Sequence, residues 1–323
     1  MEPRVSLVTS AFRADAYLES YFENICAQTI FSQMQVILVL NDPSPRALEI
    51  AEQYRARHPA QIEILNVPRE SIGASTNRGY RAARGNYLTY ADVDDLRADN
   101  CYERQAAALD EDAGCDFAYG DFVIVSQYGA REGHLIRARE FDPVEFTRGS
   151  FVGANHFFRR ELLARAGYWD EQFRSGGDFD FQVRATHHCK FKRIEGAPLF
   201  YYTRVVNSGS ASSNTLQPTE ATVILLRYAV YDKIALLNLF QYVPRARRYS
   251  LDQVLCAGTW YSIEQFVPGY RQMLAQRDTA RQSFETRYRL KIIHYYATLL
   301  PRMIYRNVRS VGHIVRKKLV FNA

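Results

Sequence analysis

The sequence predicts an α/β fold: a mostly parallel sheet with helices on both faces, followed by a smaller, all-helical C-terminal region. In the first half of the chain, short β-branched runs alternate with segments of helical period. These runs are apolar along almost their whole length, as expected of strands that are covered on both faces. From about Gln217 onward the pattern is helical alone. Alternating strands and helices favour a parallel sheet.

Four strand predictions follow one another from the N-terminus. The first is VSLVT (5–9), and the apolar residues after it recur with helical period. VILVL (36–40) precedes a predicted helix over 43–58, and IEILN (62–66) precedes one over about 74–83. The fourth, YLTYA (87–91), leads into an acidic string. Right-handed crossovers would place these four strands in one parallel sheet.

The alternation is looser beyond the fourth strand. A helix is predicted near 102–109, a strand at FAYGDFVIV (117–125), a helix over 159–166 and an apolar run near 198–202. Helices are then expected at TEATVILLRYAVYDKIALLNLF (219–240) and LDQVLCAGTWYSIEQF (251–266). The Ser/Gly/Asn-rich stretch from Asn207 to Pro218 is the linker candidate. We therefore predict two units, residues 1–215 and residues 216–323.

Composition excludes several classes of protein. The 323 residues carry 41 Lys plus Arg against 35 Asp plus Glu, a formal +6 that is too small for a dedicated nucleic-acid binder. The five cysteines include no C-x-x-C pair, so neither a zinc site nor a disulfide framework is indicated. No secretory signal and no run of 18 apolar residues is present. We expect a cytoplasmic location.

Two acidic clusters are the candidate chemistry. Asp92, Asp94 and Asp95 follow the fourth strand, at the sheet edge where ligands of parallel sheets bind. Such carboxylates suit Mg²⁺ or Mn²⁺ shared with a diphosphate, although a solvated loop with helix caps is the alternative. Asp178 and Asp180 begin a predicted helix, where Asp is as often a cap as a catalytic group. Together the clusters would hold a phosphate leaving group and supply a separate base.

The order of motifs resembles that of the family 2 glycosyltransferases with the GT-A fold. The matching segments are VSLVTSAF, LVLNDPS, IGASTNRGYRAARG, YLTYADVDD, FFRRELLARAGYWDEQF and GGDFDF, and the resemblance covers about Val5 to Ser213. The resemblance implies a GT-A catalytic domain that transfers a sugar with inversion and uses Mn²⁺ or Mg²⁺. The implied partners are a nucleotide-sugar donor, UDP-linked sooner than GDP- or dTDP-linked, and an acceptor from a cell-surface polysaccharide or lipid-linked glycan precursor.

The resemblance also implies roles for particular residues. Phe12 would stack near the nucleobase, Asp42 with Asn41 would contact the edge of the base, and Asp92 would reach the ribose. Asp94 would bind the metal, and Asp178 would be the catalytic base. Thr9 and Asn77 belong to the implied donor site, and Asn207 takes the place of a further metal ligand.

Two other functions compete with this interpretation. A dinucleotide-binding enzyme of Rossmann type would carry G-x-G-x-x-G after the first strand, whereas the turn here reads SAFRADAYL. A non-catalytic partner or scaffold in a glycan-assembly complex is the second. Gly177, where the family motif usually has Glu, and Asn207 favour the scaffold, while the intact Asp92, Asp94 and Asp178 oppose it.

The basic character of the chain is concentrated in its C-terminal tail. Residues 287–323 contain nine Lys or Arg and no Asp or Glu. As a helix, Arg302 to Leu319 would place valine, isoleucine and leucine on one face and basic residues on the opposite face. Such a helix suits the inner surface of an anionic cytoplasmic membrane, and a helix docked on the catalytic domain or on a partner subunit is the equal alternative.

Overall fold

The structure, a computed structural model, describes residues 2–149, 152–153, 155–204 and 215–320, with the backbone alone at 295–296 and from 299 onward. Its strands are β1 (Val5–Ala11), β2 (Met34–Asn41), β3 (Ile62–Val67), β4 (Tyr87–Tyr90), β5 (Leu96–Arg97), β6 (Cys115–Gly120), β7 (Phe122–Val125), β8 (His134–Ile136), β9 (Phe157–Arg159), β10 (Lys190–Ile194), β11 (Phe200–Thr203), β12 (Gln253–Cys256) and β13 (Thr259–Ser262). Its α-helices are α1 (Leu18–Cys26), α2 (Pro45–Arg57), α3 (Ile72–Ala82), α4 (Cys101–Asp110), α5 (Pro143–Phe146), α6 (Leu162–Ala166), α7 (Gly177–Ala185), α8 (Leu216–Arg227), α9 (Leu236–Gln241), α10 (Val243–Ala246) and α11 (Tyr270–Val320).

The predicted α/β fold class is confirmed. A seven-stranded sheet has the order β10-β6-β9-β4-β1-β2-β3. Strands β1 to β4 pair in parallel, as do β6 and β10, while β9 runs antiparallel between β4 and β6. Every residue of β2 is buried, as its continuous apolar sequence predicts.

Helices cover both faces of this sheet. Side chains of α1, α2 and α4 share one apolar core with Val36, and Tyr80 of α3 shares the other with Val8 and Ile37. Helix α3 begins at Ser71, whose side chain accepts a hydrogen bond from the Ala74 amide. A Cβ at Gly79 would lie 2.3 Å from Cγ1 of Val8. The glycine of the N-x-G motif is therefore needed so that α3 can approach β1.

The predicted single strand over 117–125 is wrong, because the chain divides at Asp121. β6 belongs to the large sheet, and β7 belongs to a four-stranded sheet of order β5-β11-β7-β8. The buried Asp121 carboxylate accepts a hydrogen bond from the Ala138 amide at 2.8 Å. Asp121, whose carboxylate is paired with a backbone amide, thus separates β6 from β7, although the sequence of the two strands looks like one apolar run.

A C-terminal helical region is present, but two details of its prediction are wrong. The segment 251–266 contains an antiparallel hairpin of β12 and β13 in place of a helix. Its two turn residues, Ala257 and Gly258, have φ of 51° and 74°, as primed hairpin turns require. The predicted helix over 219–240 is interrupted after Arg227, where Ala229 adopts φ of 55°.

The segments on either side of the predicted domain boundary share a core. Phe173 and Val183 pack in one apolar cluster with Val223 and Ile224 of α8. Tyr228, which directly follows α8, belongs to the same cluster. The division into residues 1–215 and 216–323 stays a prediction. The candidate linker from Asn207 to Pro218 lies outside the described residues as far as 214, and its last three residues belong to α8.

Across the described part of the chain, no helix combines the length and the apolar content that crossing a bilayer requires.

Candidate active site

Three neighbouring strands of the large sheet end at the candidate site. β4, β1 and β2 are adjacent and parallel, so their carboxyl ends lie at one edge. Phe12 follows β1, Asp42 follows β2, and the acidic turn 92–95 follows β4 after Ala91. Ligands of open parallel sheets bind at this edge. The structure therefore gathers residues that lie up to 83 positions apart in the sequence, from Phe12 to Asp95.

The three carboxylates of the acidic turn have different surroundings. Asp92 and Asp94 are half-buried, and Asp92 accepts a hydrogen bond from the Tyr90 hydroxyl at 2.8 Å. Burial and the charge of Asp94 raise the pKa of Asp92 to about 6, and burial raises the pKa of Asp94. Asp95 is only 3% exposed and accepts a hydrogen bond from the Thr203 amide at 2.8 Å. Asp95 therefore anchors β11, while Asp92 and Asp94 keep contact with solvent.

Arg97 is a buried cation beside the acidic turn that the sequence reasoning missed. Its side chain is fully buried, and Nη1 lies 3.9 Å from Oδ2 of Asp95. The guanidinium opposes the effect of burial on the pKa of Asp92, Asp94 and Asp95. An arginine two residues after an acidic string was the available signal. The positive charge of Arg97 compensates one of the three negative charges that the acidic turn carries when it is ionised.

The donor set of the acidic turn fits a divalent cation. Two half-buried carboxylates with uncompensated charge are hard oxygen ligands, and Mg²⁺ is commonly held by one or two carboxylates plus substrate phosphates. Over the residues with described side chains, no three His, Cys, Asp or Glu groups converge on one point as metal ligands. Asn207, the further ligand that the resemblance implies, lies outside the described residues.

The predicted nucleobase end has a more definite arrangement than its motifs implied. Phe12 is half-buried, and the guanidinium carbon of Arg69 lies 3.3 Å from its ring centroid. The buried Asn41 amide donates to the Glu70 carbonyl and accepts from the Glu70 amide, both at 3.0 Å. Asp42 is exposed and adopts φ of 55°, a conformation that Asp tolerates better than most residues. Asn41 thus holds the Glu70 loop, and Asp42 is the better candidate for contact with the base.

Two predicted donor-site residues are core residues. Thr9 is fully buried, and its hydroxyl lies 2.8 Å from that of Tyr21. Asn77 is also fully buried; its amide donates to the Trp169 carbonyl and to Glu171 at 2.8 and 2.9 Å and accepts from the Trp169 amide. The polar atoms of both side chains are already paired inside the protein, and their contact with the donor stays a prediction. Asn77 fastens α3 to the segment that precedes α7.

Asp178 is the second residue of α7 and is half-buried. Burial raises its pKa to about 7, and the charges of Asp92 and Glu220 add to this effect. A carboxylate with a pKa near neutrality is well matched to accept a proton at physiological pH.

The other acidic residues of the second cluster have a structural role. Asp180 is fully buried and pairs with Arg184 at 3.0 Å and Arg227 at 2.8 Å. The fully buried Asp170 pairs with Arg227 at 2.9 Å. Burial alone would raise the pKa of Asp180, but Arg227 and Arg184 hold it below its usual value. Arg227 of α8 thus joins the C-terminal region to α7, a contact that no sequence pattern predicted.

A mostly parallel sheet with carboxylates after its strands at the carboxyl edge is the arrangement expected of a glycosyltransferase of the GT-A type. Residues 6–178, more than half of the chain, match the family described as glycosyl transferase family 2. The chain belongs to this family.

Relatives and solved structures agree with this assignment. The uncharacterized glycosyltransferase EpsJ of Bacillus subtilis is 26% identical over 221 residues, which are 64% of this chain and 63% of that protein. The chain thus spans less than two thirds of that relative. The minor teichoic acid biosynthesis protein GgaB of the same organism is 32% identical over 108 residues, 33% of this chain and 12% of that protein.

The solved structures bear on the fold alone. S. aureus TarS 1-349 in complex with UDP-GlcNAc superposes with a TM-score of 0.59 at 16% identity, covering 76% of this chain and 73% of that one. Mannosyltransferase PcManGT from Pyrobaculum calidifontis, in complex with GDP-Man and Mn²⁺, gives 0.51 at 18% identity, covering 87% and 76%.

Proposed function

We propose that this glycosyltransferase moves a sugar, with inversion, from a nucleoside diphosphate donor to a hydroxyl of a cell-surface polysaccharide or lipid-linked glycan precursor. UDP is the preferred nucleotide. The observation that carries the proposal is Asp178, a half-buried carboxylate in the first turn of α7, whose pKa is raised to about 7 by burial and, to a smaller extent, by the charge of Asp92 in the acidic turn. Asp178 would supply the base, and the carboxylates at the edge of the sheet would form a separate site for the metal and the diphosphate.

The reaction assigns one task to each residue. Asp178 accepts the proton of the acceptor hydroxyl, whose oxygen bonds to the anomeric carbon as the bond from that carbon to the diphosphate breaks. Attack from the face opposite the diphosphate inverts the anomeric centre. Phe12 stacks on the nucleobase, Asp42 contacts the edge of the base and Asp92 contacts the ribose. Mn²⁺ or Mg²⁺ held by Asp94 supplies charge neutralisation for the diphosphate.

The comparisons support the donor and acceptor classes. TarS was solved with UDP-GlcNAc and PcManGT with GDP-Man and Mn²⁺, so proteins of this fold hold both nucleotides. The relative GgaB is named for the biosynthesis of teichoic acid, and teichoic acid is a cell-surface polymer. These names favour a nucleotide-sugar donor, a divalent cation and a surface glycan acceptor for this chain.

Replacing Asp94 by Ala tests the donor site directly. We expect UDP to bind the native protein more tightly with Mn²⁺ than without it. In Asp94→Ala this gain should be lost, a weakening of about tenfold or more, or roughly 1.4 kcal/mol. Calorimetric titration measures both affinities. Asp99→Ala, which removes an exposed carboxylate paired with Arg131, is the matched control and should bind as the native protein does.

Failure of UDP, GDP and dTDP to bind the native protein would contradict the donor site and favour a scaffold function. Metal-dependent binding that survives in Asp94→Ala would remove Asp94 from the metal site but leave the donor site standing.

We also propose that α11 holds the enzyme against the inner face of an anionic membrane. The helix extends to Val320, and the nine basic residues beyond 286 are unaccompanied by any acidic residue. Leu290 and Ile293 are 69% and 57% exposed, so apolar side chains accompany the charge. Basic residues near an anionic surface contribute about 1 kcal/mol each. The side chains of Arg302 to Leu319, which form the predicted amphipathic face, lie outside the described ones.

Vesicle co-sedimentation tests this contact. The protein should sediment with phosphatidylglycerol vesicles and not with phosphatidylcholine vesicles, and high salt should release it. Changing Arg316, Lys317 and Lys318 together to Gln should weaken binding by about 100-fold or more, from three contributions of about 1 kcal/mol. Equal sedimentation of the native protein and this variant would contradict the proposal and favour a helix that serves a protein partner.

A further inference from the structure

Glu220, on α8, is a fully buried carboxylate whose contacts lie in the segment that leads to Asp178. Oε2 accepts hydrogen bonds from the Ser175 and Gly176 amides at 2.7 Å each, and Oε1 accepts one from the Arg174 amide at 2.9 Å. The Tyr249 hydroxyl donates to Oε1 at 3.0 Å. Three consecutive backbone amides thus converge on one side chain, as in the backbone nests that bind anions.

These three amides lie directly before the helix that carries Asp178. Gly176 is the N-cap of α7 and Asp178 lies in the first turn of that helix. The hydrogen bonds therefore fix the entry to the helix two residues before Asp178. Hydrogen bonds from neutral amides to an ionised acceptor are stronger and shorter than those between neutral groups. Glu220 restrains the backbone that sets the direction of the Asp178 side chain.

Gly176 permits the close approach of α8 to this segment. A Cβ at that position would lie 3.2 Å from Cβ of Glu220 and 3.5 Å from Oε2. A side chain there would push the carboxylate away from its donors. The glycine before the N-terminus of α7 and the buried glutamate of α8 are thus complementary in shape.

On the basis of the function proposed above, we infer that Glu220 is a positioning residue for the catalytic base. Through the amides of residues 174–176 it holds the first turn of α7, and with it Asp178, in the orientation that receives the acceptor proton. The C-terminal region is then part of the catalytic apparatus, because α8 supplies the group that orients a residue of the family-matched segment. The negative charge of Glu220 also contributes, after burial, to the raised pKa of Asp178.

Glu220→Gln in the full chain tests this inference. The amide nitrogen of Gln would face backbone donors, so the segment 174–176 should shift. A displacement of about 1 Å can cost roughly 100-fold in rate. We expect kcat to fall by about 10- to 100-fold with an unchanged Kd for UDP. Since a negative charge near Asp178 is removed, the acidic limb of kcat/KM should also move to lower pH.

Two further variants keep the result interpretable. Gly176→Ala displaces Glu220 from the opposite side and should also lower kcat while sparing UDP affinity, even if Glu220→Gln folds poorly. Glu264→Gln removes a carboxylate that accepts from the Arg271 amide at 2.8 Å in the same region, and it should leave kcat and the pH profile unchanged.

The outcomes separate this inference from the proposed function. A folded Glu220→Gln with native kcat and a native pH profile would overturn the positioning role and leave the glycosyl transfer intact. Loss of UDP affinity in step with kcat would also overturn it, because Glu220 would then support the donor site or the whole fold. If the native protein transfers no sugar from any nucleotide donor, the proposed function fails first and the positioning role fails with it.

Discussion

Asp178→Asn should lower kcat for sugar transfer by about 10²- to 10⁴-fold, the usual contribution of a general base, while the Kd for UDP stays within twofold or so of the native value. The amide cannot accept the proton of the acceptor hydroxyl. Asn has nearly the same size as Asp, and Asp178 is only half-buried, so the fold should be unaffected. Transfer assays at saturating donor, combined with calorimetric titration of UDP, measure the two quantities.

The pH dependence of the native enzyme gives the same prediction an independent check. The pKa of Asp178 is about 7, so kcat/KM should rise as pH increases through that value and fall below it, where the base is protonated. This limb should disappear in Asp178→Asn. Asp99→Asn, at an exposed carboxylate, should keep both the rate and the limb. Residual activity above about a tenth of native in Asp178→Asn would remove Asp178 from the role of base.

Arg227→Met should lower the free energy of unfolding by about 3–5 kcal/mol, the usual cost of removing one partner from a buried ion pair. Arg227 is fully buried between Asp170 and Asp180. It also donates to the carbonyls of Ser250 and Gln253 at 2.7 and 2.9 Å. Methionine fills a similar volume, but it leaves Asp170 without its cation. It also removes one of the two arginines that pair with Asp180. Chemical denaturation measures the change.

Arg281→Met is the matched control for this stability prediction. Arg281 pairs with Glu285 on the exposed surface of α11 at 3.3 Å, and both side chains are more than half exposed. Exposed pairs of this kind contribute about 0.2–1 kcal/mol or less. A change below 1 kcal/mol in Arg227→Met, equal to that of the control, would show that Arg227 does not hold the C-terminal region to α7.

The first four strands and the helices after them were predictable because they depend on local patterns. A short apolar run rich in β-branched residues, such as that of β2, favours a buried strand by its length and composition. The hairpin of β12 and β13 was missed because its turn, Ala257-Gly258, lacks the Asn-Gly or Asp-Gly signal. Asp121 was missed as a strand boundary because one polar residue within an alternating run resembles a solvent-facing position.

The motifs of the candidate site were predictable from the sequence. Which of their polar residues are paired inside the protein was not. The sequence predicted Asp92, Asp94 and Asp178 as site residues, and the structure keeps all three half-buried. Thr9, Asn41 and Asn77 looked equivalent to them, but hydrogen bonds to Tyr21, Glu70 and Trp169 use their polar atoms inside the protein. Whether a polar side chain serves ligand or fold depends on its neighbours in space.

By itself the sequence determined the alternation of strands and helices, the family, and the carboxylates at the sheet edge, since periodicity, turn residues and motif order are properties of neighbouring positions. The tertiary structure alone decided that Asp180 is buried in ion pairs with Arg184 and Arg227, whereas Asp178 stays partly exposed. It also decided that Glu220 and Arg227, more than 40 positions along the chain, serve α7. The physical reason is desolvation. A buried charge is tolerated only beside partners that satisfy it, and packing brings those partners together from distant parts of the chain.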